Sequence, residues 1–356
     1  MVKAAPTPKD IVHREGTARL YRFRRADDRP AEAGLPLLLV PSVINRWYVL
    51  DLRAGASVAE ALVNAGFNVY CLDWGAPEDE DRYLEWDDFQ RRIGRMVRTV
   101  LRDSGASKLG LLGYCIGGTL TSIYAAQHPE QVAALVNLAG PIDFSHAGFL
   151  GEMTDPRWFD PDAIASAGNM SALQMQSGFI ALRPTSQLSK VVSLLDKALD
   201  PEAREAFQAL DGWASDNIAF PAAAYSTYIT ELYQQNTLVA GKHRVLGAPV
   251  DLGAITCPVL TVGTDRDNIC PLPAATALND RTSGPSKETF VISGGHVGAV
   301  VGAKASRTLY PKLVSWFGEH LRASAKVSAP PPAVPPASSG SGGLARTKPK
   351  SAPPPA

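Results

Sequence analysis

Residues 109–127 read LGLLGYCIGGTLTSIYAAQ, and this stretch restricts the fold more than any other part of the chain. An apolar run ends in Gly113-Tyr114-Cys115-Ile116-Gly117, and an amphipathic helical run follows. A strand that bends sharply into a helix strains the backbone at the bend, and side chains two positions to either side would collide. Glycine at both positions removes those Cβ atoms. The pattern is a nucleophile elbow with cysteine in the serine position. The helix beyond it aims its first N–H groups at the bend, where negative charge is favoured, and the Ile116 N–H is free to hold an oxyanion. An inert cysteine in a glycine-rich turn is the alternative, and it leaves the strand before and the helix after unexplained.

The rest of the chain repeats the same alternation. Leu37–Val40, Val69–Leu72, Leu109–Leu112, Val132–Leu138, Pro258–Val262 and Phe290–Ile292 are short apolar runs that predict buried strands. Val58–Asn64, Trp86–Leu101 and Leu120–Gln127 carry helical spacing between them. Strands alternating with helices predict a mostly parallel sheet covered on both faces. The alternation breaks between about Phe144 and Gly247, where aromatic and methionine side chains, among them Phe149, Trp158, Met170, Trp213, Tyr228 and Tyr233, recur at mostly helical spacing. A helical insertion between strands of an open sheet commonly lies over their C-terminal ends, where ligands bind, so residues 145–247 are expected to form a cap. An ordinary second helical layer is the other reading. Residues 1–322 then make one catalytic domain. The remaining 323–356, nearly all Ala, Pro, Ser and Gly, cannot bury enough apolar surface to offset their ordering entropy and are expected to be disordered.

Composition removes several functional classes. The formal net charge is zero, which gives no footprint for nucleic acid or an anionic membrane. The opening MVKAAPTPKDIVHREG lacks the apolar core expected of a signal peptide, and no uninterrupted apolar run is long enough to span a bilayer. Cys71, Cys115, Cys257 and Cys270 lack metal-ligand spacing and lie in or beside apolar runs, which suits a reducing, cytoplasmic setting; all but Cys115 are expected to be small core residues.

A thiol nucleophile needs a base that moves protons. Of six histidines, His296 alone sits in a glycine-flanked loop, SGGHVG, directly after an apolar strand and late in the chain. His13 falls in the polar N-terminal segment, and the others sit at helix ends or beside the cap. The acid should fall between nucleophile and base, and CPVLTVGTDRDNICP offers Asp265 and Asp267, which spacing cannot separate. The serial order Cys115, Asp265 or Asp267, His296, each after a strand, predicts an α/β-hydrolase fold with a cysteine triad.

Beyond these residues, the chain resembles the catalytic subunit of polyhydroxyalkanoate synthases over about residues 8 to 320. NRWYVLDL (45–52), LDWG (72–75), GYCIGGTL (113–120), GPIDF (140–144), DLGAITCPVL (251–260), GGHVG (294–298) and YPKLVSWF (310–317) follow in the family's order. The resemblance implies Cys115 as acyl carrier, His296 as base and Asp267 as acid, since the family's D-H-x-x-P matches Asp267–Pro271. It implies an oxyanion hole from Ile116 with Val43 or Ile44. Asn45, Arg46 and Tyr48 are candidate substrate contacts, Arg46 for CoA phosphate or equally as a loop anchor. Two positions depart from the pattern: Asn268 replaces the usual His, and Trp47 stands where Pro is common. The implied reaction is polymerisation of (R)-3-hydroxyacyl-CoA into polyester with release of CoA, the thioester being the substrate and no cofactor being needed. The chain begins almost at the core, as in the short synthases that work with a second subunit. The expected setting is the polymer granule surface in the cytoplasm, and a homodimer is a further expectation. The competing functions are a cysteine hydrolase of the thioesterase, dienelactone-hydrolase or depolymerase kind, and a non-catalytic granule protein.

Overall fold

The computed structural model describes residues 4–32, 34–182 and 200–325, and the tail beyond 325 lies outside the described residues. Eight strands form the main sheet: β1 (Lys9–Glu15), β2 (Ala18–Phe23), β3 (Leu37–Val40), β4 (Val69–Asp73), β5 (Leu109–Tyr114), β6 (Val132–Leu138), β7 (Val259–Thr264) and β8 (Lys287–Ile292). Their spatial order is β1-β2-β4-β3-β5-β6-β7-β8. From β4 to β8 every pairing is parallel. All six strands expected from apolar runs are present, several longer at an end than the run itself. Parallel pairing carries β5 two residues further, through Gly113 opposite Asn137 and Tyr114 opposite Leu138, so the strand reaches the elbow.

The two N-terminal strands are a correction to the sequence reading, which took the segment around His13 as merely polar. β1 pairs antiparallel with β2, and β2 antiparallel with β4. β1, at the sheet edge, needs little burial, so it carries charge at Lys9, Asp10, Arg14 and Glu15 without preventing strand formation. In β2, Ala18, Leu20, Tyr21 and Phe23 are buried, on both faces of the strand.

Helices cover both faces. Trp86–Ser104 runs the length predicted and one turn beyond, ended by Gly105 in the left-handed region (φ 68°). The helix that follows Cys115 starts immediately, at Ile116, and runs to Gln127. The last helix, Leu309–Ala325, turns Leu313, Trp316, Phe317 and Leu321 inward, with Phe317 edge-on to Phe67 at 6.4 Å.

Between β6 and β7 the described chain is largely helical: Gly148–Met153, Pro161–Ser166, Ala172–Leu182, Pro201–Ser215, Ala222–Thr227 and a π-helical turn, Tyr228–Gln234. Two of these open on an Asp-Pro pair. Asp160 and Asp200 each accept two backbone N–H bonds at the helix start, and the following proline occupies the first turn, where its missing N–H costs nothing.

Asp51, fully buried, fastens the N-terminus to this framework. Its carboxylate accepts from the Thr7 hydroxyl at 2.6 Å and the Ser57 hydroxyl at 2.8 Å, and Lys9 Nζ lies 3.7 Å away. Ser57 in turn caps the helix Val58–Asn64 by accepting from the Glu60 N–H at 2.9 Å. Asp51→Ala removes the acceptor of two buried hydroxyls, Thr7 and Ser57, and is expected to cost about 3 kcal/mol. Urea denaturation would show this as a lower midpoint with an unchanged slope.

Candidate active site

The elbow is built as its glycines require. Cys115 sits at φ 56°, ψ −129°, a strained region for a side-chain-bearing residue. A Cβ on Gly113 would stand 2.2 Å from Thr121 Oγ1 and 2.3 Å from the Gly117 carbonyl oxygen; one on Gly117 would stand 2.2 Å from the Val40 carbonyl oxygen. The loop after β3 therefore packs directly on the first turn of the elbow helix, and Trp74 Nε1 pins it by donating to the Pro41 carbonyl at 2.9 Å. A residue the sequence reading missed, Asn137, closes the other side. Its amide exchanges hydrogen bonds with Gly140 at 2.9 and 3.1 Å, and a Cβ on Gly118 would meet Asn137 Oδ1 at 2.2 Å. Thr119 donates to the Pro141 carbonyl at 2.7 Å, which accounts for part of the GPIDF motif as support for the elbow.

β7 and β8 run in register up to Thr264 and Ile292, so the loops carrying the aspartates and the histidine emerge side by side. The two aspartates then divide. Asp265 accepts from the Gly294 N–H at 2.8 Å and holds the histidine loop. Asp267 Oδ2 lies 2.7 Å from His296 Nδ1, while its Oδ1 accepts from the Ile269 and Cys270 N–H groups at 2.8 and 2.9 Å. Spacing left this choice open, and the geometry pairs Asp267 with the ring.

Cys115 acts on the same ring, though the buried Nε2 has no hydrogen bond of regular geometry. Burial alone would depress the imidazole; negative charge on Cys115 and the Asp267 hydrogen bond outweigh it and push His296 up to about 10. Asp267 is held below the usual carboxylate range: burial opposes this, and the His296 partner with the two backbone donors prevails. Tyr114, another residue without a sequence signal, stacks under the imidazole with centroids 5.3 Å apart and fixes its plane. The other cysteines are free and buried. Burial holds the thiols of Cys71 and Cys270 far above their ordinary value and pushes Cys257 up to about 12.

Ile116 and Ile44 both line an apolar cavity of about 530 Å³, whose other walls include Met153, Met175, Phe220 and Tyr233 from the helical insertion. Val43 is buried in the same loop as Ile44. Asn45, Arg46 and Tyr48 are committed elsewhere. Arg46 Nε and the Tyr48 hydroxyl reach the Asp216 carboxylate at 3.0 and 2.7 Å, and the Asn45 amide donates to Asn217 at 2.5 Å. These side chains clamp the loop to the end of helix Pro201–Ser215, the anchoring role the sequence left open for Arg46. Among the described residues, no group of three or more His, Cys, Asp or Glu side chains is arranged for a metal ion.

The α/β-hydrolase-fold family model matches residues 36–303. A hydrolase from Pseudomonas aeruginosa PA01 shares the fold at 15% identity, covering 87% of this chain and 98% of that one, with a TM-score of 0.52. Among curated relatives, a poly(3-hydroxyalkanoate) polymerase subunit PhaC from Allochromatium vinosum is 32% identical over 315 residues, spanning 88% of this chain and 89% of the relative. The chain belongs to the polyhydroxyalkanoate polymerase family. The corresponding PhaC subunit of Haloferax mediterranei is 33% identical over 89% of this chain, which spans 65% of that longer relative. Within the polymerase family, the two unusual residues have different surroundings. Trp47 is buried, packs on Tyr21 at 4.7 Å and Phe23 at 6.2 Å, and lies under the Lys9 ammonium at 5.3 Å, so the β1–β2 edge accommodates it. Asn268 is exposed on the Asp267 loop. Among the described residues, no helix is long and apolar enough to cross a membrane.

Proposed function

We propose that this chain polymerises (R)-3-hydroxyacyl-CoA thioesters into polyhydroxyalkanoate by way of an acyl group carried on Cys115. The observation that carries the reading is the strained cysteine acting on an Asp267-bonded imidazole, with the next residue, Ile116, lining an apolar cavity. The Cys115 thiol gives its proton to His296 as its sulfur attacks the thioester carbonyl, and the oxyanion is held by the Ile116 N–H with that of Val43 or Ile44. Collapse breaks the carbon–sulfur bond to CoA, and the His296 imidazolium gives its proton to the departing thiolate. The 3-hydroxyl of another acyl unit then attacks the acyl-cysteine, surrendering its proton to His296, and the Cys115 thiolate leaves. One thioester is exchanged for one oxoester, a downhill transfer that asks for no metal or redox partner.

Water is the competing acceptor, and the helices of residues 145–247, acting as a cap, would keep it from the acyl-cysteine by lining the cavity with Met and aromatic side chains. A second synthase subunit is a proposed partner, by analogy with the relatives named as subunits, and the surface of the insoluble polyester product is the other. The experiment supplies 3-hydroxybutyryl-CoA and analyses the products. Insoluble polyester supports the polymerase. Stoichiometric free 3-hydroxybutyrate would replace it with a hydrolase, and no CoA release at all would leave a non-catalytic protein.

A further inference from the structure

The cavity that Ile116 lines is mostly apolar, but besides Tyr225 its wall carries a pair of phenols in ring contact, Tyr228 and Tyr233. They stand five residues apart. On a regular α-helix, residues five apart diverge by about 140° and could not share one face. Here the chain leaves the α-helix Ala222–Thr227 for the π-helical turn Tyr228–Gln234, with the Gln235 N–H bonded five residues back to the Thr230 carbonyl at 3.0 Å. That periodicity brings the two rings together, centroids 5.4 Å apart and nearly perpendicular. Short π-turns inside helices are frequent at functional sites.

The rings are held from outside the turn. Phe144 meets both edge-on, at 5.9 and 4.8 Å, and Trp86 stacks on Tyr228 at 5.2 Å. Asn236, just beyond the turn, accepts from the Phe144 N–H at 3.0 Å and donates to Asp143 at 2.9 Å, locking the turn to the segment after β6. The two hydroxyls interact as donor and acceptor, and both feel the charge on Cys115. Burial first, and that charge with it, keeps both phenols protonated. A hydroxyl pair uses one proton internally and retains another proton and further lone pairs for a ligand.

We propose that the π-turn sets the Tyr228–Tyr233 pair to receive the 3-hydroxyl of the acyl chain carried on Cys115, making these two tyrosines specificity determinants for hydroxylated acyl groups. The inference rests on the polymerase reading and adds the recognition of the hydroxyl. A desolvated hydroxyl in an apolar cavity needs a partner, and the pair provides one on the wall of the cavity that Ile116 also lines. An acyl chain lacking the hydroxyl leaves the pair unrewarded, which is how polar sites discriminate.

The test compares single-turnover CoA release from 3-hydroxybutyryl-CoA and butyryl-CoA in wild type, Tyr228→Phe and Tyr233→Phe. The quantity read is the ratio of the two rates, which does not depend on how much enzyme folds. Wild type is expected to favour the hydroxylated thioester, and at least one variant to lose about tenfold or more of that preference through the hydroxylated substrate alone. Equal slowing on both thioesters, or an unchanged ratio in both variants, would overturn the pair's role while leaving the polymerase reading intact. No CoA burst from wild type with either thioester would overturn that reading, and the role with it.

Discussion

Cys115→Ala is expected to abolish CoA release from 3-hydroxybutyryl-CoA, with a loss on the order of 10⁴-fold or more, while the protein still folds. The sulfur is the only group at the bend placed to form the acyl intermediate, and removing a nucleophile from a constellation that acts as a unit removes nearly all its catalysis. The fold tolerates the change because Cys115 is almost wholly buried and alanine is smaller. Its strained φ of 56° is unaltered, since both residues bear a Cβ. A chromogenic assay for free thiol, beside a thermal melt, checks both halves. A variant that kept a substantial fraction of wild-type turnover would remove the covalent route.

Asp267→Asn is expected to lower turnover by about 10³- to 10⁴-fold, because an amide no longer stabilises the imidazolium and presents a donor where an acceptor is needed. The change is also legible in the titration of His296. In the wild type this ring is raised from 6.5 to about 10, by Cys115 and by Asp267 against burial. A group raised on folding contributes stability that is complete below 6.5 and is lost as pH climbs through about 10. Asp267, depressed from 3.8, works the other way: its contribution is present above that value and is lost as pH falls through the folded value. The asparagine variant keeps only the Cys115 contribution, so its His296 midpoint should fall and its alkaline loss of stability should begin earlier. Imidazole nitrogen shifts by NMR report the midpoint directly, and an unmoved midpoint would contradict the pairing.

Where the backbone dictates residue type, the sequence was readable. Gly113 and Gly117 announce the elbow because no larger residue fits against Thr121 and the Val40 carbonyl. The apolar runs of β3 to β7 announce a parallel sheet because both its faces are covered. β1 and β2 were not readable that way, since a strand at the sheet edge needs little burial and β1 carries charge at Lys9, Asp10, Arg14 and Glu15. Asp265 and Asp267 were indistinguishable because only the path of the loop decides which carboxylate meets the ring and which meets the Gly294 N–H. Arg46 and Tyr48 find their partner about 170 residues away at Asp216, a contact no local pattern encodes. The tyrosine pair was hidden for a sharper reason: a π-turn breaks the 3.6-residue period on which helix reading depends.

The central claim is that substrate becomes covalently attached at one sulfur. Wild-type protein mixed with 3-hydroxybutyryl-CoA, quenched in acid within a single turnover and digested, should yield the peptide spanning Cys115 heavier by one hydroxyacyl unit or a short oligomer of it. An unmodified Cys115 peptide alongside stoichiometric CoA release would contradict the account outright.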